Sequence, residues 1–281
     1  MLKKLLLVTV FLFGAHCSTL AQEGKLKKGK ERLKTTKSTR NTGKRTTRTT
    51  GNGRNRSHFS DDISNPFARI IWSIAAHTFY GVAIESVFEK NGRMHDAEIS
   101  NYSYKTPNYG NFIYTDSTNY NITRLDITNT FVRENKNLYG NNFGVNFRFL
   151  KRFALDLEYL YLTEKVQNHH ESFSLYSALL KYHRVRTQRF DAWFGLGIMH
   201  VGSDVDKSGF GMGVGAELFV VKPISIDFCH KWTNINQEEV HKTKLLLKYH
   251  IKNYQILSGY EHFKIGVSKI ATFSVGVGAS F

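Results

Sequence analysis

From about residue 120 to residue 281 the sequence keeps a period of two, and few folds can carry that rhythm for so long. Successive side chains of a strand point to opposite faces, so strict alternation means a sheet with two unlike sides. "NNFGVNFRFL" sets Phe143, Val145, Phe147 and Phe149 opposite Asn142, Gly144, Asn146 and Arg148. "FALDLEYLYL" sets Phe153, Leu155, Leu157, Tyr159 and Tyr161 against Asp156 and Glu158. The pattern recurs in "ITRLDITNTFVRE", "FDAWFGLGIMH", "GFGMGVGAELFV", "ISIDFCHKW", "KTKLLLKYHI" and "ATFSVGVGASF". It is less clean in "FSLYSALLKYH" and ambiguous in "YQILSGYEHFKI".

About ten such strands of about ten residues, each apolar on one side, are the expected signature of a transmembrane β-barrel. The composition agrees, with 21 Phe, 14 Tyr and 22 Gly but only 3 Pro, a mixture that suits continuous sheet. The fold class expected is all-β: an antiparallel transmembrane barrel of about ten strands (roughly eight to twelve) over residues 120–281. A soluble sandwich or ligand-binding barrel would also alternate, so alternation alone leaves the choice open. The connections add a second signal. They are short at "IKN", "VKP" and "LKR" and longer at "TNINQEEV", "GSDVDKSG" and "TEKVQNHHE". Short turns at one end and longer polar loops at the other are what outer-membrane barrels show. "RVRTQR" fits the short side only loosely.

With the apolar face turned to lipid, the other face fills the lumen. A barrel of about ten strands is too narrow for a wide aqueous channel. Arg148, Asp156, Glu158, Glu217, Asp227, Lys231, Lys244 and Lys248 are therefore expected to form an internal ion-pair network.

The first 119 residues read differently. "MLKKLLLVTVFLFGAHCSTLAQ" has a basic start, an apolar run and small residues before a cut after Ala21, the layout of a secretory signal peptide over residues 1–21. Cleavage there removes Cys17 and leaves Cys229 alone, which excludes a disulfide framework and a multi-cysteine metal site. The chain carries a formal charge of +16, but residues 25–56 alone hold a net +12, and residues 57–281 only +3. Residues 22–64 therefore read as a disordered basic tail, too poor in apolar residues to offset the entropy of ordering. In residues 65–119, Asn65 and Pro66 can open a helix running to Phe88, followed by a Tyr- and Asn-rich connection with room for one or two extra strands.

The strand pattern, the leader and the terminal aromatic together resemble the bacterial outer-membrane β-barrel proteins of Gram-negative cells. The resemblance covers residues 120–281, with Phe281 in the place of that family's terminal aromatic. It implies an outer-membrane location and a closing strand read by the barrel-assembly machinery through Phe281, on the periplasmic side. The basic tail then hangs in the periplasm, where its partners are anionic lipid headgroups or peptidoglycan, through residues 25–56, and not nucleic acid. The expected role is non-enzymatic, structural or loop-mediated binding, with no cofactor and no metal. The alternative is a small barrel protease or lipid hydrolase, some of which carry His, Asp, Ser or Glu at the rim. "EKVQNHHESFS" supplies His169, His170 and Glu171, and "NINQEEVHK" supplies Glu238, Glu239 and His241, with Asp204 and Asp206 in the loop between. His169, Glu171 and His241 are the catalytic candidates of that alternative, although no Ser–His–Asp spacing or metal-ligand motif is present.

Overall fold

The computed structural model describes residues 24–34, 97–105, 109–114, 121–166, 169–202 and 204–281. The leader, most of the basic stretch and the expected helix Pro66–Phe88 lie outside the described residues.

Ten strands close on themselves: β3 (Thr123–Arg133), β4 (Leu138–Phe149), β5 (Phe153–Val166), β6 (His169–Arg186), β7 (Phe190–Val201), β8 (Lys207–Val221), β9 (Ile224–Ile235), β10 (Glu238–Ile251), β11 (Tyr254–Ile265) and β12 (Ser268–Ser280). Each pairs antiparallel with its sequence neighbours, and β12 pairs with β3 to complete the barrel. The closing register runs from Phe273 opposite Arg133 to Ser280 opposite Asp126. Beyond it, Phe281 and Leu125 exchange both backbone hydrogen bonds, at 2.8 and 2.9 Å. Closure leaves no sheet edge, which is what a strand structure needs in lipid.

The connections alternate between two mouths. The terminal mouth holds the start of β3, Phe281 and the links 150–152, 187–189, 222–223 and 252–253. The distal mouth holds 134–137, 204–206, 236–237 and 266–267, and the end of β5 beside the start of β6. Here the expectation of longer loops at one end is corrected. β9 runs through to Ile235 and β10 begins at Glu238, so "TNINQEEV" is mostly strand around a two-residue turn. Asn236 and Gln237 both take positive φ, 51° and 65°, the backbone of a tight hairpin turn whose twist matches its strands.

Two further pieces belong to this body. Helix α1 (Lys25–Lys34) corrects the expectation that residues 22–64 are without structure throughout. Its buried residues are Leu26, Gly29, Lys30 and Leu33, one stripe at helical spacing. It lies at the distal mouth, away from Phe281, whereas the tail is expected on the Phe281 side. Within the expected irregular connection, β1 (Ala97–Ile99) and β2 (Phe112–Tyr114) form a short antiparallel pair. Its contacts lie at the terminal mouth: Tyr114 donates to the Arg186 carbonyl at 3.1 Å, Tyr104 donates to the carbonyls of Ile224 and Val221, and Lys151 pairs with Glu98.

Candidate functional site: the plugged lumen

The two faces of the wall divide as alternation requires. Phe143, Phe147, Leu155, Leu157, Leu180, Ile198, Val214, Phe228, Leu245, Val275 and Val277 are exposed on the outside. Along β4 the outward residues from Tyr139 to Phe149 span ten steps, about 25 Å at about 3.4 Å per residue and a tilt of about 40°. Aromatic rings gather toward both ends of this belt. Phe147, Phe149, Phe153, Tyr182 and Phe194 make a chain of ring contacts at 5.5–6.2 Å toward the terminal mouth. Tyr159 stacks on Tyr176 at 4.7 Å toward the other. A closed wall, apolar outside for a membrane thickness and girdled by aromatic rings, is stable only in lipid.

Inside, the lumen is filled in three layers. The middle layer is ionic. Lys231, only 1 % exposed, pairs with Asp156 and lies 2.7 Å from Glu158. Glu158 also takes Lys242 at 2.8 Å and Lys244 at 2.7 Å, while Asp156 takes Lys181 at 2.8 Å. Lys181 stands 4.0 Å over the Trp193 ring. That ring needs the bare backbone of β8: a Cβ on Gly215 would come within 2.5 Å of it. Nearer the terminal mouth, Lys248 bridges Glu217 and Asp227 at 3.2 Å each, and Arg148 reaches Asp191 at 2.9 Å. Taking an ion out of water costs several kcal/mol, which only several well-placed partners offset. Here Glu158 has three. A cavity of about 100 Å³ remains among these side chains, room for a few waters.

The hairpin of β1 and β2 forms the second layer, at the terminal mouth. Asn111, fully buried, donates to Asp191 at 3.0 Å and Glu217 at 2.8 Å, and accepts from Arg124 at 3.1 Å and Ser103 at 2.9 Å. Arg124 in turn holds Asp126 at 2.7 Å. Phe112 packs against His183 at 5.8 Å. Tyr104 caps the assembly, and burial, with Glu217 nearby, pushes its hydroxyl pKa up to about 12.

The third layer closes the distal mouth and is mostly apolar. Val132, Leu138, Leu160, Leu162, Phe173, Met199, Val201, Ile235, Phe263 and Ile270 form one buried cluster with Leu26 and Leu33 of α1. Gly29 lets the helix approach: a Cβ there would meet Ile265 at 3.0 Å. The helix ends are capped by the wall. Glu164 accepts from the backbone N–H of Lys25 at 3.1 Å and of Leu26 at 2.8 Å, and Asn236 donates to the Leu33 carbonyl. Around it Lys25 pairs with Glu134 at 2.6 Å, and Lys30 with Glu171 at 2.7 Å and Asp204 at 3.0 Å. Burial works against the Lys30 charge, but hydrogen bonds to Glu171 and Asp204 outweigh it and hold its pKa above the usual lysine value. The same contact, with Lys34 nearby, holds Asp204 below the usual carboxylate range.

The eight charges expected in the lumen, Arg148, Asp156, Glu158, Glu217, Asp227, Lys231, Lys244 and Lys248, all line this cavity. Lys181, Lys242, Asp191, Arg124 and Asn111 belong with them beyond the eight that the sequence suggests. Lys181 and Lys242 sit in strands whose inward face also carries Leu179 and Leu246, which blurs the charge signal. The catalytic candidates do not meet. His169 and Glu171 open β6 and His241 lies on β10, four strands along the wall, and Glu171 is paired with Lys30. His241 contacts Glu239 at 3.2 Å and is 5.6 Å from the ring of His230. Among the described residues no cluster of three His, Cys, Asp or Glu could hold a metal ion.

This architecture defines the class: a transmembrane β-barrel of the outer-membrane type, located in the cell outer membrane. No family model and no curated protein matches the chain. Among solved structures it is similar to the KdgM porin at 14% identity and a TM-score of 0.36, over 56% of this chain and 99% of that one. It is similar to OprG from Pseudomonas aeruginosa at 10% and 0.31, over 57% and 95%. It is also similar to Ail of Yersinia pestis at 16% and 0.28, over 57% and 96%. The class rests on the barrel's own surface and lumen, not on these likenesses.

Proposed function

We propose that this protein is a sealed, non-enzymatic outer-membrane barrel that anchors its basic N-terminal segment at the membrane. The observation that carries this reading is the stacking of three closures across one lumen: α1 on apolar walls, the ionic layer, and the hairpin around Asn111. Turns of two to five residues at both mouths leave little loop surface, so binding falls to the N-terminal segment rather than to the loops. Six cations of that segment lie in α1, where Lys25 and Lys30 are held by wall carboxylates. Seven more Lys and Arg, in residues 37–56, supply the charge for anionic lipid headgroups. Phe281, whose backbone closes the barrel against Leu125, is the assembly signal in this reading.

Planar-bilayer recording of the refolded full chain tests it. A sealed barrel should give no steady open-channel current. Stable stepwise conductance of the wild type would overturn the reading.

A further inference from the structure

Toward the distal boundary the outward faces of β9–β12 bring several cationic and titratable side chains together just above a band of aromatic and aliphatic residues. Alternation puts His230 and Trp232 of β9, His241 and Thr243 of β10, His262 and Lys264 of β11, and Lys269 of β12 on the outside. The register brings them together. Thr243 stands opposite His230 on one side and His262 on the other, and His241 stands opposite Trp232 and Lys264. Lys264 stands opposite Lys269. His230 accepts or donates at 2.8 Å with the Thr243 hydroxyl, and its ring lies 5.4 Å from Trp232 and 5.6 Å from His241. Directly below come the lipid-facing Phe228, Leu245, Tyr260 and Phe273, so the patch sits where hydrocarbon gives way to headgroups.

We propose that this patch is a binding site for a phosphate-bearing lipid of the leaflet around the distal mouth, strengthened as its imidazoles protonate. Two lysines and three histidines face outward with one carboxylate, Glu239, which is already engaged by Lys264 and His241. Arg133 of β3, paired opposite Phe273, extends the cationic side beyond β12. A phosphate placed here takes charge-assisted hydrogen bonds from several donors at once, in a setting where screening by water is reduced. Imidazoles titrate near neutrality, so acidification adds donors and charge without moving the wall.

The test is native mass spectrometry of the full refolded protein with diphosphoryl lipid A or phosphatidylcholine, at about pH 7.5 and about pH 5.5. Wild type should retain the diphosphoryl lipid in preference to phosphatidylcholine, and about tenfold more tightly at the lower pH, the worth of one added charge-assisted hydrogen bond. His230→Gln, His241→Gln and His262→Gln together should abolish the pH dependence. Lys264→Gln with Lys269→Gln should weaken retention at both pH values. All five positions face outward, and a heat-shift gel verifies that the variants fold. Equal retention of both lipids, a pH dependence that survives the histidine changes, or full displacement by inorganic phosphate would overturn the proposal.

Discussion

The two mouths of this barrel are closed by opposite chemistry. At the terminal mouth the hairpin enters through hydrogen bonds: Asn111 spends its amide on Asp191, Glu217, Arg124 and Ser103. At the distal mouth α1 enters through Leu26 and Leu33, with ion pairs only around its rim. A polar plug is specific, since a misplaced amide leaves buried acceptors unsatisfied. An apolar plug is tolerant of position, and its strength follows the area it hides from water. The hairpin is therefore built into the ionic floor, and the helix is laid on top of it.

The largest effect should come from the floor they share. Glu158→Ala removes the common partner of Lys231, Lys242 and Lys244. Leaving buried charges uncompensated costs about 3–5 kcal/mol. Loss of heat-modifiable protein and of hairpin protection together is expected, and a urea midpoint equal to wild type would mean the floor does not support the plugs. A smaller and separable effect is expected at the helix. Leu26→Ala and Leu33→Ala should each cost about 2–5 kcal/mol of α1 docking. Trypsin should then cut at Lys27 or Lys28 while the barrel's own midpoint stays put. If the barrel midpoint falls with it, the helix is part of the wall's stability and the contrast between the mouths fails.

The smallest effect is a pH window. Lys30 is raised, so its contribution to docking is fully present below the ordinary lysine pKa of 10.5 and is lost as pH rises through its folded value. Asp204 is lowered, so its contribution is present above the ordinary 3.8 and is lost as pH falls through its folded value. Between about pH 5 and about pH 9.5 the protease resistance of α1 should not change. A loss of resistance inside that window would assign the docking to a histidine instead.

Much of this architecture can be read from alternation. The wall, the number of strands and eight lumen charges follow from residues such as Asp156 and Glu158, framed by Leu155, Leu157 and Tyr159. The distal third cannot be read in that way, for a physical reason. There the inward residues are also apolar, as with Phe173, Leu175, Phe263 and Ile265, because they meet a helix rather than water. In β6 and β11 the alternation then reverses sense, with Phe173, Leu175, Phe263 and Ile265 inward and Ser172, Ser174, His262 and Lys264 outward, so the apolar face no longer marks the lipid side where the plug sits. The helix itself left a faint trace: Leu26, Gly29, Lys30 and Leu33 share one face of "KLKKGKERLK", hidden by a composition that suggests only disorder. Asn111 left none, since one asparagine among several in a Tyr- and Asn-rich stretch has no period to betray it.

The closing contact of Leu125 with Phe281 joins the first barrel strand to the last. Every other seam of the wall is a hairpin between sequence neighbours and can zip locally. This seam links residues separated by the whole length of the barrel, and the entropy of bringing them together must be met before the contact returns anything. Until β12 arrives, the Asp126–Arg133 edge of β3 stands open to any other strand. The step that makes the wall edgeless is thus the slowest to form and the most exposed to misassociation, and a chain delayed there should pair with its neighbours before it pairs with itself.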